Sequence, residues 1–185
     1  MATPVISLYS DDNTTQVSTW SPGTVKADHV SSELEVYVWN NKSATPGTAN
    51  SAVVSDMIEC TVGAFDSNGK ATDPIAADKW IQANINDAKD SGGTDDKWEP
   101  IGGATVAKIY NAAANPTSFT GDDSKDYVLK GTTNTGQIVP KSGTPSAAQT
   151  ANKVNYAKVR FRIAVPQNAD AGTTGFKIRF QGYYV

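Results

Sequence analysis

The sequence predicts an all-β fold, an antiparallel β-sandwich with long polar loops, and two observations carry that prediction. The first is strict alternation near the C-terminal end, where Val159, Phe161 and Ile163 alternate with cationic residues. Side chains on a strand switch faces at every residue, so such a run indicates one buried and one solvated face. The second is composition: the 185 residues include only three leucines, which disfavours long amphipathic helices.

A second alternation follows the first. In it, Phe176, Ile178 and Phe180 are interleaved with Lys177 and Arg179. Two neighbouring runs of this kind are typical of consecutive strands in an antiparallel sheet with one face on the core. We therefore predict that residues 156–185 form a strand pair that closes the sandwich.

Elsewhere the chain offers shorter strand signals. Residues 1–20 are predicted to form an N-terminal arm or an edge strand, because Pro4 has no backbone N–H to donate to a neighbouring strand. Alternation of apolar and polar residues predicts further strands, and Asn68-Gly69 supplies the positive φ values that a tight hairpin after one of them needs. The predicted strands are 34–39, 57–65, 80–85 and 127–129.

The chain is long enough for one domain, residues 1–185, with a loop-rich insertion at 86–152. Within it, residues 131–152 consist mainly of Thr, Gly, Ser, Pro and Ala. A loop of that length in a compact domain is usually functional, disordered or held by a partner. Ordered polar segments here would therefore favour contact with neighbouring chains.

Charge is distributed unevenly along the chain. The net charge of −3 divides into −8 for residues 1–150 and +5 for residues 151–185, where all three arginines lie. These cations either meet carboxylates of the same chain or of a neighbouring subunit, or they dock on a partner. Strand-borne cations without aromatic stacking residues among them are a weak nucleic-acid signal, so no nucleic acid is predicted. The candidate partner-binding residues are Lys158, Arg160, Arg162, Lys177 and Arg179.

Catalytic chemistry has few candidates in this sequence. His29 is the only histidine, which excludes multi-histidine metal sites, and its position before a strand favours a surface residue. Cys60 alternates with apolar residues and is predicted to be a core residue. Three acidic clusters lack the full ligand spacing of a calcium loop and are predicted to be turns: Asp11-Asp12-Asn13, Asp66 to Gly69, and Asp122-Asp123 with Asp126. We predict no enzyme, no metal and no cofactor.

Aromatic residues support one alternative. Tyr37 and Trp39 share the outward face of a predicted strand, and exposed aromatic rings can stack on sugars. These two residues are the candidate glycan-binding platform, unless a loop, a second sheet or another subunit covers them. The chain also has no signal-peptide pattern and no apolar run of about 18 residues, so a soluble protein without a membrane segment is expected.

The last two strands carry a family resemblance. The run from Tyr156 to Val165-Pro166, the Ala169-Asp170-Ala171-Gly172-Thr173 turn and the run from Phe176 to Phe180 resemble the end of immunoglobulin-like domains. The segment Leu34 to Asn41 resembles an inner strand of the same domains. Taken with Trp98 to Gly103, the layout resembles small structural proteins of tailed phages and prophages of Gram-positive bacteria.

This resemblance implies a non-catalytic component of a bacteriophage virion, made in the host cytoplasm. Capsid decoration is favoured over a tail or baseplate role. The implied partners are other virion proteins, in a homo-oligomer or a symmetric multi-copy assembly. The alternative is a carbohydrate-binding adhesin module that recognises the host surface.

Overall fold

The computed structural model describes residues 2–114 and 127–184, which form eight β-strands and two short α-helices. In chain order the elements are β1 (Ile6–Ser10), β2 (Leu34–Asn40), β3 (Met57–Asp66), α1 (Pro74–Ala77), β4 (Ile81–Ile85), β5 (Glu99–Ile101), β6 (Ala107–Lys108), α2 (Ala147–Ala151), a 3₁₀ turn (Asn152–Val154), β7 (Tyr156–Ile163) and β8 (Phe176–Tyr184). Neither helix of this described part has the length and apolar character needed to span a membrane.

The strands form two antiparallel sheets. Sheet 1 has the order β1-β2-β7-β4-β5, and sheet 2 has the order β6-β3-β8. All strand pairs within both sheets are antiparallel. The rings of Phe161 on β7 and Phe180 on β8 lie 6.1 Å apart between the sheets. The predicted all-β antiparallel sandwich is confirmed.

The predicted closing strand pair is wrong in one respect, because β7 and β8 are not neighbours in a sheet. β7 lies between β2 and β4 in sheet 1, whereas β8 pairs with β3 in sheet 2. The connection between them leaves sheet 1 beside the segment before β2, where the Val165 amide donates to the His29 carbonyl. Alternation specifies which face of a strand is buried, but it does not specify the neighbouring strand.

Most of the other predicted strands are found close to their expected positions. β2, β3 and β4 fall on the predicted runs, and β1 lies at the edge of sheet 1 as expected. The N-terminal segment then folds back on its own sheet, because the Val17 amide donates to the Leu8 carbonyl. Residues 127–129 make only an isolated bridge, between Leu129 and Met57.

The core lies between the two sheets. Its members are the inward residues of the alternating runs, including Val36, Val62, Val159 and Phe161, each at most 2% exposed. Cys60 is 2% exposed within the same cluster, as predicted for a core residue, and burial raises the pKa of its thiol to about 11. Close packing of β-branched and aromatic residues therefore stabilises the fold without a disulfide.

Buried asparagines attach the polar segment after residue 127 to the sandwich. The Asn40 amide donates to the carbonyls of Ser55 and Leu129, and the Asn41 amide donates to Gly131. Asn134 is likewise buried and donates back to the Asn41 carbonyl at 2.8 Å. Irregular backbone needs such partners when it is buried. The chain itself thus supplies the contacts that we expected from neighbouring chains.

Candidate functional site

The cations of β7 lie in a network of carboxylates from the same chain. Arg160 contacts three of them: Glu33 at 3.1 Å, Asp87 at 3.1 Å and Asp96 at 2.8 Å. The Asp87 contact, to the guanidinium Nε, is an ion pair without the direction of a hydrogen bond. Burial lowers the pKa of Arg160, but the hydrogen bond that Arg160 donates to Asp96 and the three negative charges outweigh burial and raise it.

The other two β7 cations are also held internally. Lys158 lies 3.0 Å from Glu35 and 2.9 Å from Asp87. Arg162 donates to the Gln82 side chain at 2.8 Å, and its guanidinium stacks 4.2 Å from the ring centre of Trp98. All three cations thus have partners within their own chain, and that they make interchain ion pairs remains a prediction. The competing interpretation, carboxylates of the same chain, is confirmed for Lys158 and Arg160: Glu35 lies on β2, whereas Glu33, Asp87 and Asp96 lie outside the strands.

The two cations of β8 are placed differently. Lys177 and Arg179 are exposed, and neither lies within ion-pair distance of a carboxylate of the described residues. Arg179 instead lies over the Phe65 ring, 4.3 Å from its centre. The β3 residues opposite them are Gly63 and Phe65, which offer no negative charge. Of the five candidate residues, these two are the exposed ones, and neither has a carboxylate partner among the described residues.

Exposed aromatic side chains continue this surface. Tyr183 and Tyr184, at the end of β8, are 67% and 61% exposed. We call the exposed side chains of this strand the β8 surface, and they are Lys177, Arg179, Gln181, Tyr183 and Tyr184. The surface combines positive charge with aromatic area, and both are enriched at protein interfaces.

β8 also has an open edge. It pairs with β3 on one side and with no strand of the described residues on the other. Beside this edge lies a groove of about 300 Å³ between the sheets. Strands β1, β2 and β7 line it from sheet 1, and β8 and the segment 17–20 complete it, with Leu8, Trp20, Leu34, Phe161, Phe176, Ile178 and Phe180 as the large apolar side chains.

The predicted glycan platform is not exposed. Tyr37 is 5% exposed and Trp39 is completely buried, in a cluster with Tyr156. The Trp39 indole donates to the Asn13 side chain at 2.8 Å, and Asn13 in turn donates to the Gly136 carbonyl. Two polar segments thus cover the outer face of sheet 1, and the prediction that these rings stack on a sugar is wrong. Two large aromatic rings on one outward face, those of Tyr37 and Trp39, were the signal in the sequence that another segment covers this face.

A wider cleft, of about 880 Å³, lies at one end of the sandwich. Trp20 and Trp80 line it together with residues 21–27 and 169–175. The sequence gives no sign that these two tryptophans line one cleft, because they are sixty residues apart and do not share a strand. Of the two clefts, this is the one that two indole rings line.

The candidate catalytic and metal residues have local structural roles where they are described. The His29 ring nitrogen contacts the Ala27 carbonyl at 2.8 Å, in an exposed turn. Asp12 accepts from the Thr14 amide within its own turn. Asp122, Asp123 and Asp126 lie outside the described residues. Within the described ranges, no three His, Cys, Asp or Glu side chains are grouped closely enough to hold a metal ion.

Asp66 shows why one of these clusters is a turn. Its carboxylate accepts from the amides of Asn68, Lys70 and Thr72 and from the Thr72 hydroxyl. These hydrogen bonds, led by that from the Thr72 hydroxyl, lower the pKa of Asp66 to about 2. With four donors from one loop, the carboxylate fixes the turn after β3.

Comparison with known proteins gives no match: no protein-family model, curated protein or solved structure is significantly similar to this chain.

Proposed function

We propose that this protein is a structural component of a multi-copy assembly and attaches to another protein through the β8 surface. The observation that carries the proposal is the pair Lys177 and Arg179, which are exposed and lack carboxylate partners among the described residues in an otherwise acidic chain. The β7 cations have the same sequence pattern but are held by their own chain. Selective exposure of one cation pair fits a surface that awaits an acidic partner.

The proposed setting is the particle of a tailed phage, with decoration of the capsid favoured over a place in the tail. Its source is the resemblance of the C-terminal runs to immunoglobulin-like phage proteins. Strand order supports that comparison: β1-β2-β7-β4 corresponds to strands A-B-E-D of an immunoglobulin constant domain, and β3-β8 corresponds to C-F. This is an argument from fold, and folds host many functions, so the particle itself has to be tested.

The test is mass spectrometry of particles purified from cells that carry the gene. We expect the wild-type chain in the particles at a fixed copy number, and at least tenfold less of the double variant Lys177→Glu/Arg179→Glu. The matched control is Lys79→Glu/Lys153→Glu, which makes the same change of charge away from β8 and should be incorporated normally. A chain absent from particles would overturn the virion setting, and equal loss of both variants would overturn the role of the β8 surface.

A carbohydrate-binding module is the second candidate, and one observation favours it. Trp20 and Trp80 line the cleft of about 880 Å³, and indole rings facing a cleft can stack on sugars. A glycan array probed with the chain would test it: a bound glycan that is lost in Trp20→Ala but kept in Lys177→Glu/Arg179→Glu would favour this candidate. No bound glycan would contradict it.

A further inference from the structure

We propose that β8 binds, by β-strand addition, an extended segment of a partner protein in which apolar side chains alternate with acidic ones. The inference deepens the proposed function, since it names the kind of partner that the β8 surface takes. Three properties of the strand carry it: a long open edge, an apolar groove beside that edge, and two cations on the outer face.

The edge is the first property. The two sheets have four edge strands among the described residues, and three of them are short or covered. β5 has three residues including Pro100, β6 has two residues, and β1 is bordered by a bridge between Tyr9 and Gln16. β8 has nine residues and no proline. An open edge of that length presents a row of backbone donors and acceptors to which another strand can bind.

The groove is the second property. Phe176, Ile178 and Phe180 point inward from β8 and are only half-buried, because no strand of the described ranges lies beside them over β1 and β2. Trp20 packs against this rim, with its ring 5.5 Å from that of Phe176. A strand added at β8 would direct every second side chain into the groove. Apolar residues at those positions would remove the exposed apolar area from water.

The outer face is the third property. Residues that lie opposite each other in neighbouring strands have Cβ atoms about 5 Å apart, and opposite charges there are favourable. Lys177 and Arg179 lie on that face, and β3 offers them only Gly63 and Phe65. Acidic residues in the added strand would provide the missing partners. The alternation of apolar and acidic residues follows from the two faces together.

A partner strand fits this site better than a second copy of the chain. Sheet 1 continues past β8, since side chains of β1 and β2 form the floor of the groove. Two copies joined edge to edge through β8 would therefore bring their first sheets into collision. A single extended segment carries no second sheet and so avoids this collision.

The test uses two nine-residue peptides with acetylated and amidated ends as probes of the intact chain. One alternates Glu and Val, and the other alternates Lys and Val. We expect the Glu peptide to bind at least tenfold more tightly than the Lys peptide in a fluorescence or NMR titration. Amide hydrogen exchange of residues 176–184 should slow when the Glu peptide is bound, with no slowing in β1.

Reversing the charge of the two β8 cations is the more discriminating test. Lys177→Glu/Arg179→Glu should reverse the preference, so that the Lys peptide binds at least tenfold more tightly than the Glu peptide. Lys79→Glu/Lys153→Glu should keep the wild-type preference. Both double variants change exposed or half-exposed side chains, and circular dichroism would verify that they fold.

Several results would overturn the inference: no binding of the Glu peptide, equal binding of both peptides, or binding without protection of β8. A chain that self-associates through β8 would overturn it in favour of a second copy. The inference and the proposed function fail separately. Peptide binding by a chain that is absent from particles rejects only the virion setting, and a chain found in particles that binds no peptide rejects only strand addition.

Discussion

Strands β7 and β8 look alike in sequence and differ in what surrounds them. Each alternates apolar residues with cations, over eight and nine residues respectively. β7 has a neighbour on both sides, and Glu33, Glu35, Asp87 and Asp96 hold Lys158 and Arg160. β8 has one neighbour and its cations are unpaired with any described carboxylate. An alternating run therefore specifies which face of a strand is buried, but it does not specify which strands lie beside it.

Burial follows the same division. The inward ring of β7, Phe161, is 1% exposed, whereas its counterpart Phe176 on β8 is half-buried at the rim of the groove. The interior strand is therefore suited to stability, and the edge strand retains apolar area and charge for a partner.

The largest expected effect comes from truncating these two rings. Phe161→Ala should lower the free energy of unfolding by about 3–5 kcal/mol, because it leaves a cavity in a packed core. Phe176→Ala should cost only about 1–2 kcal/mol, since the ring is already partly exposed to water. Urea unfolding followed by tryptophan fluorescence measures both. Equal losses would show that the groove is closed in solution, which contradicts the comparison.

The second effect concerns the outward cations. Arg160→Met should cost about 1–3 kcal/mol, because charge-assisted hydrogen bonds are lost and three carboxylates are left close together. Arg179→Met should cost less than about 1 kcal/mol, since it removes only an exposed contact with the Phe65 ring. The same unfolding measurement applies, and 1 M salt should reduce the Arg160 effect by screening. A larger loss for Arg179 would reveal an internal partner for β8.

The third effect is a loss of stability at low pH, and it depends on Asp66 at the end of β3. Hydrogen bonds lower the pKa of Asp66 from 3.8 to about 2, so its stabilising contribution is present above about pH 4 and is lost as the pH falls toward 2. Asp66→Asn should remove this part of the pH dependence of the urea midpoint. Asp170→Asn, an exposed change in the loop before β8, is the matched control. A wild-type pH profile in Asp66→Asn would rule out this role for the carboxylate.

Parts of the fold could be predicted from local pattern. β2, β3, β4, β7 and β8 each follow an alternating or apolar run. Asn68-Gly69 lies in the turn after β3, but the predicted hairpin is wrong, because β3 pairs with β6 and β8 and not with β4. Parity also placed Cys60 in the core correctly. These successes share one physical reason: a strand's two faces differ in burial, and that difference is recorded at every second residue.

The site could be predicted only in part. Tyr37 and Trp39 were assigned to the outer face correctly, but residues near Asn13 and Gly136 cover that face. The covering depends on side-chain amides that bond carbonyls far away in the sequence, as when Asn41 reaches Gly131. An asparagine that anchors a distant loop has the same local sequence signal as one in a solvated turn.

The sequence alone determined an all-β chain with alternating runs, a core without disulfides and a cationic C-terminal region in an acidic protein. Tertiary structure decided which cations were satisfied and which strand was left at an edge. The reason is physical: burial is encoded by the period of each strand, but pairing depends on which distant strand lies within about 5 Å. Arg160 and Arg179 are indistinguishable by pattern, and only the neighbours supplied by the fold separate them.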